Sequence, residues 1–138
     1  MKMNDGAKPL LLWLPMLFWA GLIFYLSSRP DVKLPGREFY LKDKFVHAAA
    51  YAVLCAGVFL GCRTAGSRDF ARGVGLLSVI AYGFLDEIHQ KFVPGRLCES
   101  YDFLADSVGA VGLFSLVYLW EGWRKRRGNE VQVTEGNS

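Results

Sequence analysis

The chain has 138 residues, 52% of them hydrophobic, and a formal net charge of +3. That length suits one domain over residues 1–138 and leaves no room for a second. Its basic residues are scattered or lie beside apolar blocks, which argues against a nucleic-acid surface, and its three unpatterned cysteines make neither a disulfide framework nor a zinc knuckle.

The apolar residues come in blocks close to the length of a membrane span. The expectation is an all-α integral membrane bundle of four transmembrane helices, at about residues 9–28, 44–61, 73–90 and 102–120, with a polar tail over 124–138. The first block is too long for a signal-peptide core and lacks a small-residue cleavage site, so it reads as a retained span. Pro9 suits a first helical turn, and nothing ionisable lies between Pro9 and Tyr25. This span is expected to be a lipid-facing scaffold.

Residues 29–42 are polar, broken by Pro30, Pro35 and Gly36, and read as a surface segment or a cap. The second span opens at Asp43 and Lys44, and Asp43, His47 and Tyr51 follow at i, i+4 and i+8 on one helix face. Cys55 and Cys62 are small apolar fillers there, and Cys98 is a loop thiol. In the third span Tyr82, Asp86 and either His89 or Gln90 share a face, with Glu87 turned about 100° away. A Pro94-Gly95 turn leads to the fourth span, where Asp102, Asp106 and Gly109 share a face and Gly109 permits close helix approach. Trp120 and Trp123 mark an interface, followed by Arg124, Lys125, Arg126 and Arg127.

Four spans place both termini on one side. That side carries nine Lys and Arg residues against seven on the other, or against five once Lys44 and Arg96 are assigned to the polar site. The positive-inside rule then puts both termini in the cytoplasm and the polar site outside. His47, Asp86 and Asp106 each fall about one helical turn in from a span end, on three different helices. Asp and His are too short to snorkel to water from that depth. Asp43, Asp86, Glu87, Asp102 and Asp106 against Lys44 and Arg96 leave a formal excess of −3. Such an excess has to hold a proton or bind a cation, a divalent metal among the options. The bland alternative is that the layer only staples helices together.

Three blocks, DKFVHAAAY (Asp43 to Tyr51), YGFLDEIHQKFVPGR (Tyr82 to Arg96) and SYDFLADSVGA (Ser100 to Ala110), resemble the signature blocks of the VanZ-like membrane proteins. The Ser27-Ser28-Arg29-Pro30 ending of the first span is similar as well, and the resemblance covers about residues 20–115. It implies a multi-pass protein of the bacterial cytoplasmic membrane, in a family whose namesake is associated with teicoplanin resistance. It also implies functional positions at Asp43, Lys44, His47, Tyr51, Glu87, His89, Gln90, Arg96, Asp102 and Asp106. Members often carry Asn where this chain has Asp106.

Three functions compete on these residues. In the first, an enzyme works at the outer leaflet on an amphiphilic, lipid-linked envelope molecule: Lys44 and Arg96 hold an anionic group, His47 and His89 exchange protons, and Asp86 or Glu87 orients them or acts as base. Asp106 belongs with this catalytic set, and Tyr51, Gln90, Asp43 and Asp102 with the binding set. In the second, the same pocket holds a lipid-linked cell-wall precursor or a lipophilic glycopeptide without turnover. In the third, the protein is a structural subunit among membrane lipids. No H-E-x-x-H spacing points to a metal, and Ser100 and Ser107 lack the surroundings of a nucleophile.

Overall fold

The computed structural model describes residues 11–30, 37–64, 68–96 and 100–135. These fold into four helices, with no strand among the described residues: α1 (Leu14–Ser27), α2 (Arg37–Gly61, running into a 3₁₀ turn at Cys62–Thr64), α3 (Arg68–Gln90) and α4 (Ser100–Glu135). Pro9, Pro35, Gly36, Gly66, Ser67 and Cys98 lie outside the described residues. Pro15 occupies the first turn of α1, where a missing N–H removes no helical bond.

Three boundaries differ from expectation. α2 begins at Arg37, so residues 37–43 are helix instead of a surface segment. Charged side chains end an apolar run without ending a helix, because Arg, Lys and Glu are good helix formers. α3 begins at Arg68 for the same reason. α4 continues through the stretch expected to be a polar tail and ends at Glu135. Arg124 lies over Trp120 and Arg127 over Trp123, at 4.9 and 4.4 Å. These i,i+4 contacts support a helix that packs on little else.

α2 is the central helix. Tyr51, Leu54, Cys55 and Val58 recur along one of its faces, and with Ile23, Cys62, Val79 and Ala110 they form the buried core. α1 runs antiparallel to α2, with Met16 against Gly57 and the Trp13 ring against Gly61. α4 runs parallel to α2, and a Cβ on Gly109 would come within 1.9 Å of the Ala48 carbonyl oxygen. That close approach brings the first turns of α4 within reach of Asp43, Lys44 and His47. Trp19 Nε1 donates to the Ala50 carbonyl at 2.8 Å and Tyr82 Oη to the Ala20 carbonyl at 2.7 Å, tying α1 to both α2 and α3. Burial raises the pKa of the Cys62 thiol, with Arg72 acting weakly the other way.

Leu41–Gly61 and Ser100–Gly128 are long and apolar enough to cross a membrane, and Leu14–Ser27 is a shorter apolar helix. α3 carries Arg68, Asp69 and Arg72 at one end and Asp86, Glu87, His89 and Gln90 at the other, which shortens its apolar run. Large apolar side chains point outward on every helix, among them Phe18 at 73% exposed, Phe45 at 75%, Leu77 at 67% and Leu116 at 66%.

Candidate functional site

The C-terminal ends of α1 and α3 and the N-terminal parts of α2 and α4 meet at one end of the bundle. The turn after α3 closes this end. Pro94 and Gly95 take its central positions, Gly95 has φ +82°, and the Arg96 amide donates to the Val93 carbonyl at 3.2 Å. This is the hydrogen bond and the positive φ of a type II turn, which glycine adopts without strain. The turn carries Arg96 back over α1. There its Nε donates to the Arg29 carbonyl at 3.2 Å and its Nη2 to the Leu26 carbonyl at 3.1 Å. Arg96 therefore caps the negative end of α1, and no ion pair joins it to Asp102 or Asp106.

The carboxylates divide into three groups. Lys44 Nζ donates to Asp102 Oδ1, and it lies 3.4 Å from Asp43 Oδ2. His47 Nδ1 lies 3.0 Å from Asp106 Oδ1, and His47 Nε2 lies 4.0 Å from Asp43 Oδ1. Asp86 accepts from Ser27 Oγ at 2.6 Å and from Gln90 Nε2 at 3.0 Å. Asp86 thus has both oxygens satisfied by neutral donors, and no cation pairs with it among the described residues. Asp106 is 1% exposed, and its second oxygen, Oδ2, has no hydrogen-bond partner among the described residues. Gly83 makes room there, since a Cβ on it would sit 3.5 Å from that oxygen and 3.1 Å from the Tyr51 ring.

A cavity of about 170 Å³ opens between α1 and α2. Asp43, His47, Tyr51, Asp86 and Arg96 line it together with Ser27, and Ile23, Leu26, Val46 and Ala50 form its apolar wall. The Tyr51 hydroxyl is buried on this wall without a hydrogen-bond partner among the described residues. Asp106 stands behind His47 rather than on the wall. Other expected members of a shared cavity lie elsewhere: Lys44 and Asp102 form their own ion pair, Gln90 supports Asp86, and buried Glu87 does not line the cavity. His89 turns to α1 instead, with Nε2 3.0 Å from Ser28 Oγ and its ring 4.8 Å from the Phe24 ring. The two histidines thus serve different neighbours.

Two residues of the layer went unrecognised as site members. Ser27 and Ser28 bring hydroxyls from a helix that was read as an inert scaffold. Two signals point to them: the resemblance of the Ser27-Ser28-Arg29-Pro30 ending, and the position of two hydroxyls closing an apolar block. Asp43, His47 and Asp102 each offer a potential metal ligand within 4.8 Å of the others. The Lys44 ammonium already contacts both of those aspartates, so a divalent ion would have to displace it. The chemistry that remains is a histidine oriented by a buried carboxylate, facing a cavity that two further carboxylates, Asp43 and Asp86, also line. Comparison with protein-family models, with curated proteins and with solved structures found no match.

Proposed function

We propose that this chain is a VanZ-like protein of the bacterial cytoplasmic membrane, and that it catalyses proton transfer on the head group of an amphiphilic cell-envelope molecule. On this reading all four helices cross the bilayer, the termini are cytoplasmic and the cavity faces outward. The outward-pointing apolar side chains on each helix support the membrane embedding. Trp120 and Trp123 followed by four basic residues support the cytoplasmic placement of the C-terminus.

The observation that carries the catalytic reading is the His47–Asp106 pair on the cavity edge. A carboxylate can only accept, so Asp106 holds the proton of His47 on Nδ1 and leaves Nε2 free to take one. Asp43, 4.0 Å from that nitrogen, stabilises the imidazolium that results. This is the logic of a base oriented by a buried acid. Neither a serine nor a cysteine is hydrogen-bonded to His47 among the described residues, and Ser27 donates to Asp86. His47 then acts on water or on a substrate group directly. The cavity is smaller than the roughly 300–1,000 Å³ that encloses a drug-sized ligand. It takes a head group, and a lipid-linked precursor or a lipophilic glycopeptide would enter it only in part.

The test is to incubate wild-type protein and His47→Gln, each in lipid nanodiscs, with an envelope lipid extract and to follow the lipids by mass spectrometry. Conversion of a lipid class by the wild type alone is the expected result. Retention of the same lipid by both proteins without product would make this a binder, and retention by neither would leave a structural subunit.

A further inference from the structure

The cavity beside His47 has the wrong charge for a phosphate, and we propose that its ligand is an amphiphile carrying a protonated amine. The inference rests on the head-group reading given above and names the class of head group.

A phosphate site needs cations in excess of the carboxylates around it. Lys44 is held by Asp102 and Asp43 and does not line the cavity. Arg96 does line it, with two of its five donors bound to the Arg29 and Leu26 carbonyls, and it brings one fixed positive charge. His47 is held by Asp106 through Nδ1, and its Nε2 lies 4.0 Å from the Asp43 carboxylate. The carboxylates of Asp43 and Asp86 line the cavity as well. Asp86 is 5% exposed and, among the described residues, is hydrogen-bonded by neutral groups alone, and a desolvated carboxylate held in that way favours a cation.

Tyr51 supplies an independent pointer. Its side chain is 1% exposed, it lines the cavity, and its hydroxyl has no hydrogen-bond partner among the described residues. A buried polar atom of this kind calls for a ligand group to complete it. A phenol oxygen can accept as well as donate, so with the two carboxylates it can receive the N–H groups of an ammonium, which has donors only. The apolar wall fits the rest of such a molecule: Leu26 on α1 and Val46 on α2 are 54% and 66% exposed. They lead an alkyl chain from the cavity to the outer surface of the bundle.

Binding of three single-chain probes, dodecylamine, dodecanol and dodecyl phosphate, to the full chain in neutral detergent at pH 7 tests the proposal by native mass spectrometry. An alkylamine is protonated there, like a lysine side chain. Dodecylamine is expected to bind about tenfold or more tightly than dodecanol, with dodecyl phosphate the weakest. Asp86→Asn should lower dodecylamine affinity about tenfold, as loss of a hydrogen bond to a charged group does, and should leave dodecanol unchanged. If Asp86→Asn does not fold, Asp43→Asn at the more open rim makes the same test. Dodecyl phosphate binding as tightly as the amine would overturn the charge assignment while sparing the head-group reading. Amine binding that survives both substitutions would place it outside the cavity and overturn the proposal. Failure of all three probes to bind would overturn the head-group reading itself.

Discussion

Two ends of the same bundle bury charge in different ways. Away from the cavity, Arg72 on α3 makes a paired contact with Glu121 on α4 at 2.7 and 2.9 Å. Its guanidinium also lies 5.0 Å from the centre of the Phe59 ring. There the charges are paired, with a planar fork on a carboxylate and an aromatic ring as cover, although Arg72 Nε has no hydrogen-bond partner among the described residues. At the cavity end carboxylates outnumber cations, Asp86 is held by neutral donors, and open space adjoins them. Burial of charge alone therefore does not separate a staple from a site. Imbalance beside a cavity does.

The comparison breaks first at Arg72. Arg72→Ala should cost about 2–4 kcal/mol of stability, somewhat below the range for a fully buried pair because Glu121 is half-exposed. Arg72→Met with Glu121→Leu should recover most of that loss, measured as melting temperature in detergent, and lipid handling should not change. Failure of the double variant to recover would make this end more than a staple.

Lys44 and Asp102 come next. Each single change, Lys44→Met or Asp102→Asn, should cost about 1–3 kcal/mol, and the double variant should show a coupling of about 1 kcal/mol or more, because the pair shares a half-buried contact. Arg96 should behave otherwise. Arg96→Ala should cost about 1 kcal/mol through loss of the α1 cap. Its effect should add to that of Asp102→Asn or Asp106→Asn within about 0.5 kcal/mol. Strong coupling with either aspartate would show that Arg96 reaches the carboxylates after all.

The smallest expected effect is that of metal. Manganese or magnesium should leave the melting temperature of the wild type unchanged, since Lys44 fills the space between Asp43 and Asp102. In Lys44→Met the same ions should stabilise the protein measurably. A clear shift in the wild type would mean that the lysine yields to the ion.

Helices and facing residues were legible in the sequence to the extent that local periodicity controls them. The i, i+4, i+8 spacing of Asp43, His47 and Tyr51 did put them on one face, and the small Gly109 did mark close helix approach. Destinations set by tertiary geometry were not legible. Arg96 reads from the sequence as a clamp for an anionic group, yet the turn at Gly95 carries it to the carbonyls of α1. His89 sits within a turn of Asp86 but rotates to Ser28, and no spacing rule decides between His89 and Gln90. The helices run past the expected spans, to Arg37 and Glu135, because hydropathy marks where an apolar surface stops and backbone hydrogen bonding continues past it. Arg72 and Glu121 were invisible as a pair because they are remote in sequence and each looks ordinary at a span end.

The most direct measurement of the central claim is Asp106→Asn, with lipid conversion and melting temperature recorded on the same preparation. Asparagine keeps the size of the side chain and an acceptor for His47, and it removes the charge that orients and stabilises the base. The account predicts conversion lowered by about a hundredfold or more with the melting temperature shifted by only a few degrees. Unchanged conversion beside a large loss of stability would contradict it and make His47–Asp106 a second staple.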